Sequence, residues 1–143
     1  LSGSLSTGLF LLPQLMVLSL SVNCFGEVLP QSLCSARGLE VLSLNGLQAA
    51  EGCPDRVTVP LSDVALFNTF GGSVPSCVWA MRNLTVLHLT GNGLTGKLAP
   101  SLPRYSQLAD VSLSHNQLSG TIPVDLLRMA NLDLSFNQLS GEY

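Results

Sequence analysis

Leucine recurs along the chain with a fixed spacing, L-x-x-L-x-L, in which one polar residue separates the last two apolar positions. Four copies are in register, beginning at Leu15, Leu39, Leu84 and Leu108. The first two copies begin 24 residues apart, and so do the last two. A repeat of this length predicts a solenoid, because one such unit cannot bury its apolar face alone and must stack on its neighbours.

The last three positions of each copy alternate apolar, polar, apolar, and this pattern predicts a short β-strand. Alternate side chains of a strand point to the same side, so the two apolar residues face inward and the polar residue faces solvent. Strands from successive units then lie side by side in a parallel sheet, about 4.8 Å apart.

The repeat is irregular in the middle of the chain. Regular units place an asparagine at the ninth position, but the second unit has Leu47 there. In the third unit, Leu61, Val64 and Leu66 fall one residue out of frame. We therefore assign residues 45–67 to an irregular repeat.

The whole chain, residues 1–143, is predicted to be a single segment of repeats with about six strands. The last unit begins at Met129, which is 21 residues after its predecessor. Both ends fall within a repeat, since residues 1–5 and 139–143 are equivalent partial units. Solenoids need terminal units with a polar outer face, so we expect this segment to belong to a longer array.

One copy, residues 108–126 with the sequence LADVSLSHNQLSGTIPVDL, shows the complete motif. It resembles the plant-type, extracellular leucine-rich repeat, L-x-x-L-x-L-x-x-N-x-L-S-G-x-I-P, and LTGNGLTGKLAP and LSFNQLSGEY repeat its second half. Similar arrays form the ectodomains of receptor-like kinases and receptor-like proteins, and polygalacturonase-inhibiting proteins. The resemblance implies an α/β repeat solenoid, curved, with the parallel sheet on its concave face and short 3₁₀ turns and loops on its convex face.

The asparagines at the ninth position are interpreted as structural. Each follows a strand where the chain turns inward, and its amide can satisfy backbone groups that the turn leaves unpaired. The expected asparagine ladder consists of Asn23, Asn68, Asn92, Asn116 and Asn137.

Small polar residues fill the outward positions of the predicted strands and form the candidate ligand-binding face. The first column is Ser19, Ser43, His88, Ser112 and Asp133, and the second is Ser21, Asn45, Thr90, Ser114 and Ser135. The irregular repeat would add Ala65 and Phe67 to these columns. Serine is also a common filler at such positions, so each residue can equally be a neutral surface position.

One column brings His88, Ser112 and Asp133 onto adjacent strands, but their order does not fit a catalytic triad. A triad requires the histidine between the nucleophile and the carboxylate, whereas here the serine is in the middle. An open sheet also implies no closed pocket. We expect no catalytic residue and no enzymatic activity, and with only two isolated histidines we expect no metal site and no cofactor.

Four cysteines and one glycosylation sequon can indicate whether the protein is located inside or outside the cell. Cys24, Cys34, Cys53 and Cys77 match no zinc-binding spacing and can be buried thiols or disulfides. A disulfide between Cys53 and Cys77 can form if their Cα atoms lie within about 7 Å of each other. Asn83 begins the sequon Asn-Leu-Thr just before a predicted strand, and we expect it to carry a glycan.

The composition excludes two classes of partner. The chain is 46% hydrophobic and only 10% charged, with a net charge of −3 and a pI of about 5.1. A basic surface for nucleic acid is therefore not expected. The most apolar stretch, residues 9–20, is interrupted by Pro13 and is shorter than the roughly 20 residues of a membrane-spanning helix, so we expect no membrane insertion by this segment.

These features predict a non-catalytic recognition module of a secreted or cell-surface ectodomain. Its partner would be a protein or peptide ligand, with a glycan as a further candidate. A structural or assembly subunit that packs against neighbouring chains is the alternative, because a weakly charged exterior suits constitutive contacts. A third hypothesis, ordering of water against ice by the hydroxyl columns, is opposed by the interruptions at His88 and Asp133.

Overall fold

The computed structural model describes residues 1–26, 28–47, 50, 53 and 71–141, which form a solenoid of short strands and 3₁₀ turns. The strands are β1 Ser2–Gly3, β2 Val17–Ser19, β3 Cys24–Phe25, β4 Val41–Ser43, β5 Val86–His88, β6 Asp110–Ser112, β7 Ser119–Gly120, β8 Asn131–Asp133 and β9 Gln138–Leu139. The 3₁₀ turns are Thr7–Leu11, Gln31–Ser35, Ser76–Ala80 and Leu126–Arg128. The predicted parallel sheet and 3₁₀ turns are thus confirmed.

Five of the strands form the main sheet, in the order β2-β4-β5-β6-β8, and every neighbouring pair is parallel. We name each turn of the solenoid after its strand in this sheet, for example the β4 coil. The predicted register holds from coil to coil, because Leu18, Leu42, Leu87, Val111 and Leu132 are Cα partners in succession. The outward columns therefore continue across the whole sheet.

The sheet leaves no place for a strand between β4 and β5. Val41 is the direct register partner of Val86, 45 residues further along the chain, and the Leu44 amide donates to the His88 carbonyl at 2.9 Å. Ala65 and Phe67, which the sequence assigns to the outward columns, and Asn68, which it assigns to the ladder, lie in the stretch 54–70, outside the described residues.

The core lies behind the sheet and consists mainly of the inward leucines. In the β4 and β5 coils, which have neighbours on both sides, these leucines are completely buried: Leu39, Leu42, Leu44, Leu84, Leu87 and Leu89. Leu132 and Leu134 of the β8 coil are only partly buried, because the described chain covers them on one side. Burial of a leucine side chain contributes about 1.5–3 kcal/mol, so stacking of coils is the main source of stability.

Side chains of the asparagine column hold consecutive coils together. Asn116 is buried, and its Oδ1 accepts hydrogen bonds from the amides of Asn92 and Leu94 at 3.0 and 2.9 Å. Its Nδ2 donates to the carbonyls of Leu89 and Leu113, both at 2.9 Å. One side chain thus satisfies backbone groups in two coils that no strand pairing reaches.

The same arrangement recurs at the other described asparagines of the column. Asn92 accepts from the Leu47 amide at 3.0 Å and donates to the Leu44 carbonyl at 2.7 Å. Asn137 accepts from the Leu118 amide at 3.0 Å, and Asn23 donates to the Leu20 carbonyl at 2.7 Å. These bonds are the ones that the ladder interpretation requires.

The ladder is interrupted at the β4 coil, where Leu47 replaces the asparagine. Its carbonyl accepts from the Phe25 amide at 2.8 Å, but its side chain offers no further polar group. A disulfide between Cys24 and Cys53 joins the chain at this point, with Cα atoms 5.3 Å apart. A covalent bond therefore links the β2 and β4 coils where the ladder asparagine is missing.

All four cysteines form disulfides, and the possible Cys53–Cys77 bridge considered from the sequence is not one of them. Cys34 bonds to Cys77, with Cα atoms 5.7 Å apart, and joins the 3₁₀ turns of consecutive coils. Cys53 does not bond to Cys77, because β4 and β5 are neighbours and both cysteines therefore lie in one coil. Cys53 lies near the residues that follow β2, whereas Cys77 lies in a 3₁₀ turn.

The residue before each ladder position has a positive φ. In the β4 and β5 coils this residue is a glycine, Gly46 or Gly91, but Val22, His115 and Phe136 occupy it elsewhere, with φ of 55°, 54° and 53°. A β-branched side chain is strained in this region by about 1–2 kcal/mol. The strand must turn sharply at this point in every coil, so the conformation is kept even at valine.

We predict that Val22→Gly raises the free energy of unfolding by about 1 kcal/mol, because glycine removes the left-handed strain. Val17→Gly is the matched control, since the two valines are 60% and 59% exposed but Val17 lies within β2. The control is expected to lower stability by roughly 0.5–1 kcal/mol. Urea denaturation followed by circular dichroism measures both, and a Val22→Gly variant no more stable than the unsubstituted chain would contradict the strain argument.

Candidate functional site

The main sheet arranges the predicted ligand-binding residues in two continuous columns. Ser19, Ser43, His88, Ser112 and Asp133 are successive Cα partners, which places the first column in the predicted order without its irregular member. The second column follows two residues after each of these. We call this outward surface of the main sheet the concave face.

Hydrogen bonds connect the small polar side chains of the concave face to one another. Thr90 Oγ1 lies 2.8 Å from Ser112 Oγ and 3.3 Å from Ser114 Oγ. Ser21 Oγ lies 3.2 Å from Ser43 Oγ and accepts from the Asn45 amide at 3.1 Å. The hydroxyl groups are therefore held in fixed positions, which lowers the conformational entropy that a ligand must remove on binding.

A hydrogen-bonded histidine–aspartate pair lies in the middle of this face. His88 Nε2 is 2.8 Å from Asp110 Oδ1, and both side chains are about one third exposed. Asp110 is absent from the sequence-derived candidates because only the positions after the second leucine were considered. The signal was available, since the residue before the second leucine alternates with the buried position and also points outward.

Asp133 supplies a second exposed carboxylate near one end of the face. Its Oδ1 accepts from the Ser135 hydroxyl at 2.7 Å and from the Ser135 amide at 3.1 Å. These bonds, with contributions from Ser114 and His115, hold the pKa of the Asp133 carboxyl below its usual value despite some desolvation. The carboxylate is therefore ionised throughout the neutral and weakly acidic range.

The three residues of the apparent triad are not connected as a triad requires. His88 is bonded to Asp110 and Ser112 to Thr90, while Asp133 is bonded to Ser135. In the part of the chain that the structure describes, no group of three or more histidine, cysteine, aspartate or glutamate side chains could hold a metal ion.

Apolar side chains flank the polar centre of the face at both ends. Met16, Val17 and Val22 are exposed at the β2 end. At the β8 end, Phe136 is 73% exposed and stacks on His115 with ring centroids 4.2 Å apart. Sequence reasoning missed these residues, because their exposure depends on which coils flank them.

The glycosylation candidate, Asn83, is exposed at the edge where β5 begins. Its Nδ2 donates to the Arg37 carbonyl of the neighbouring coil at 2.9 Å. Thr85 of the sequon donates its hydroxyl to the Glu40 carbonyl at 3.1 Å. The sequon thus lies on the outer edge of the solenoid, away from the concave columns.

No helix among the described residues is long and apolar enough to cross a membrane. The Leucine Rich Repeat family model matches residues 83–105 and 107–129. These two matches coincide with the β5 and β6 coils, which carry the most regular repeats.

Curated plant proteins share these repeats. The chain is 32% identical to phytosulfokine receptor 1 of Arabidopsis thaliana over 137 residues, which is 94% of the chain and 14% of that receptor. The chain spans between 8% and 14% of the length of this receptor and the other curated relatives compared first. The similarity therefore concerns one part of much longer proteins.

Solved structures of plant proteins match nearly the whole chain. The ectodomain of the Arabidopsis thaliana membrane receptor kinase GASSHO1/SCHENGEN3, in complex with CASPARIAN STRIP INTEGRITY FACTOR 2, is 34% identical with a TM-score of 0.77, over 99% of this chain and 15% of that one. The Arabidopsis receptor kinase HAESA, in complex with the peptide hormone IDA and the co-receptor SERK1, is 28% identical with a TM-score of 0.76, over 99% and 21%. A plant ice-binding protein is 26% identical with a TM-score of 0.75, over 100% and 40%.

The two disulfides agree with the extracellular setting of these ectodomains. The repeat register, the parallel sheet and the 3₁₀ turns agree with their fold. The chain is an extracellular or cell-surface leucine-rich-repeat solenoid of the plant receptor-like type.

Proposed function

We propose that this chain is a non-catalytic part of a receptor-like ectodomain and binds a peptide on its concave face. The observation that carries the proposal is the fixed, hydrogen-bonded row of hydroxyl, amide and carboxylate groups across five parallel strands, which is half-buried at its centre and exposed at Asp133 and Ser135, with Ser114 alone buried. Such groups can bond the backbone of an extended peptide, and a rigid sheet presents them at regular spacing.

Apolar side chains beside the polar groups support a peptide in preference to a purely polar ligand. Val17 lies on β2, and Phe136 stacks on His115. Aromatic and aliphatic anchors provide most of the binding energy in protein interfaces, while polar contacts fix orientation. HAESA, a structural relative at 28% identity, has been solved with a peptide hormone bound.

The binding surface can be tested by blocking its centre. The immobilised chain would be panned with a phage-displayed library of random dodecapeptides, and selected peptides would be measured against Ser112→Arg and Ser101→Arg. Ser112 lies within the concave face, whereas Ser101 is an exposed loop residue between coils. We expect at least tenfold weaker binding to Ser112→Arg and no change with Ser101→Arg. Peptides that bind both variants equally would place the site elsewhere.

A second candidate function, binding of ice, is favoured by the similarity to the plant ice-binding protein. The hydroxyl columns are its chemical basis, but the His88 ring and the Asp133 carboxylate interrupt them. Inhibition of ice recrystallisation by the purified chain would support this function. The structural alternative is tested by light scattering after size exclusion, where a stable oligomer at micromolar concentration would favour assembly.

We infer that Asn83 carries an N-linked glycan in the native protein. Its exposed position and the extracellular setting make the sequon accessible to the glycosylation machinery. Intact mass before and after enzymatic deglycosylation is expected to differ by a core glycan, and the difference should vanish in Asn83→Gln. A native mass without any hexosamine would refute the assignment.

A further inference from the structure

All four arginines among the described residues lie on one flank of the solenoid, within the few residues that precede a strand of the main sheet. They are exposed, and they are Arg37 before β4, Arg82 before β5, Arg104 before β6 and Arg128 before β8. Because these strands are consecutive neighbours in the sheet, the arginines follow one another from coil to coil. This flank is separate from the concave face.

These positive charges have no carboxylate partner within the described part of the chain. The only ion pair there joins His88 and Asp110 on the concave face. Arg82 instead stacks on an aromatic ring, with its guanidinium carbon 4.2 Å from the Tyr105 ring centroid. A row of unpaired guanidinium groups is available to an external anion, and arginine binds carboxylates with two parallel hydrogen bonds.

Two of these arginines line a groove of about 550 Å³ between the β6 and β8 coils. Arg104 stands on one side and Arg128 on the other, and the apolar side chains of Leu102 and Met129 contribute to the lining. The groove therefore combines positive charge with apolar surface.

The groove also contains a polar group without a partner. Ser106 Oγ is buried and forms no hydrogen bond with any described residue. Buried hydroxyl groups are nearly always hydrogen-bonded, because an unpaired one costs about 1–3 kcal/mol. Asp125, the one acidic residue of the lining, accepts from the Leu102 amide at 3.1 Å.

We propose that this flank groove binds an acidic, partly apolar segment of a partner protein. Arg104 and Arg128 hold a carboxylate of the segment, Ser106 donates its hydroxyl hydrogen to it, and the apolar lining takes a neighbouring apolar side chain. A polyuronate chain fits less well, because it carries a negative charge on every unit and would meet the Asp125 carboxylate. This site is independent of peptide binding on the concave face.

The test uses a fluorescent hexapeptide of alternating leucine and aspartate, and fluorescence anisotropy at low ionic strength. The double variant Arg104→Gln/Arg128→Gln is compared with Arg37→Gln/Lys97→Gln, which removes the same number of charges outside the groove. We expect at least tenfold weaker binding for the first variant and less than a twofold change for the second. Circular dichroism melting checks that both are folded.

Ser106→Ala provides a variant that keeps every charge. It is expected to weaken peptide binding severalfold without lowering the melting temperature, since the hydroxyl has no partner to lose. Equal weakening by the two double variants would show attraction by net charge alone and would overturn the proposal. So would absence of peptide binding, or binding of hexagalacturonate but not of the peptide, which would assign the groove to a glycan.

Discussion

Asn116→Ala is expected to lower the free energy of unfolding by about 3–5 kcal/mol, a large part of the stability of a domain of this size. The substitution removes the acceptor of the Asn92 and Leu94 amides and the donor to the Leu89 and Leu113 carbonyls. Asn116 is buried, so water cannot replace these bonds without opening the coil. Each unpaired buried group costs about 1–3 kcal/mol.

Urea denaturation followed by circular dichroism measures this loss, and Asn131→Ala is the control. Asn131 is exposed on β8, and its side chain has no hydrogen bond among the described residues, so its removal should change stability by less than about 0.5 kcal/mol. Hydrogen exchange adds a local measurement, because the Leu94 amide should lose protection first. Equal stability of the two variants would disprove the structural role of the ladder.

Asn116→Asp separates the two functions of the side chain. The aspartate keeps an acceptor for the Asn92 and Leu94 amides but cannot donate to the carbonyls when it is ionised. It also places a charge in a buried position. We expect a loss of stability that becomes smaller at low pH, where the carboxyl is protonated and can donate again. The stability of Asn116→Ala relative to the unsubstituted chain should show no such recovery.

Removal of the Cys34–Cys77 disulfide is expected to lower the free energy of unfolding by about 3–4 kcal/mol. The two cysteines are 43 residues apart in sequence, and a loop of that length loses much conformational entropy in the unfolded state when it is closed. The bond also joins the 3₁₀ turn before β4, Gln31–Ser35, to the 3₁₀ turn Ser76–Ala80, which lies within the long connection between β4 and β5. The double variant Cys34→Ala/Cys77→Ala tests this in urea denaturation.

The matched comparison is Cys24→Ala/Cys53→Ala, whose disulfide spans 29 residues and joins the coils at the interrupted ladder. This variant should lose a similar amount of stability, since the entropy of closing a loop depends only weakly on the loop's length. Peptide mapping without reduction is expected to find both links and no Cys53–Cys77 link. A stability unchanged by either double variant would show that the disulfides do not limit unfolding.

The regular coils could be predicted from the sequence almost residue by residue. The alternation around Leu87 and Val111 determines which side chains point inward, because a strand has only two faces. The Asn92 and Asn116 positions follow from the same register. His88 and Ser112 are neighbours in the structure for this reason.

The irregular stretch could not be predicted in this way. A fixed period predicts a strand in every unit, but the structure pairs β4 directly with β5 across 45 residues of chain. Sequence spacing does not reveal how much chain a coil can place outside the sheet, because loops on the surface tolerate extra length at small entropic cost. This single difference explains why the Cys53–Cys77 bond, which the repeat frame made possible, does not form.

The sequence by itself determined the repeat, the inward and outward faces and the ladder, since all three depend on local spacing. Only the tertiary structure decided the disulfide partners, the His88–Asp110 pair and the arginine row, because each depends on which coils are neighbours. The groove between Arg104 and Arg128 likewise depends on which coils are neighbours. Contacts between coils depend on the stacking of separate segments, and a pattern within one segment carries no information about its neighbour.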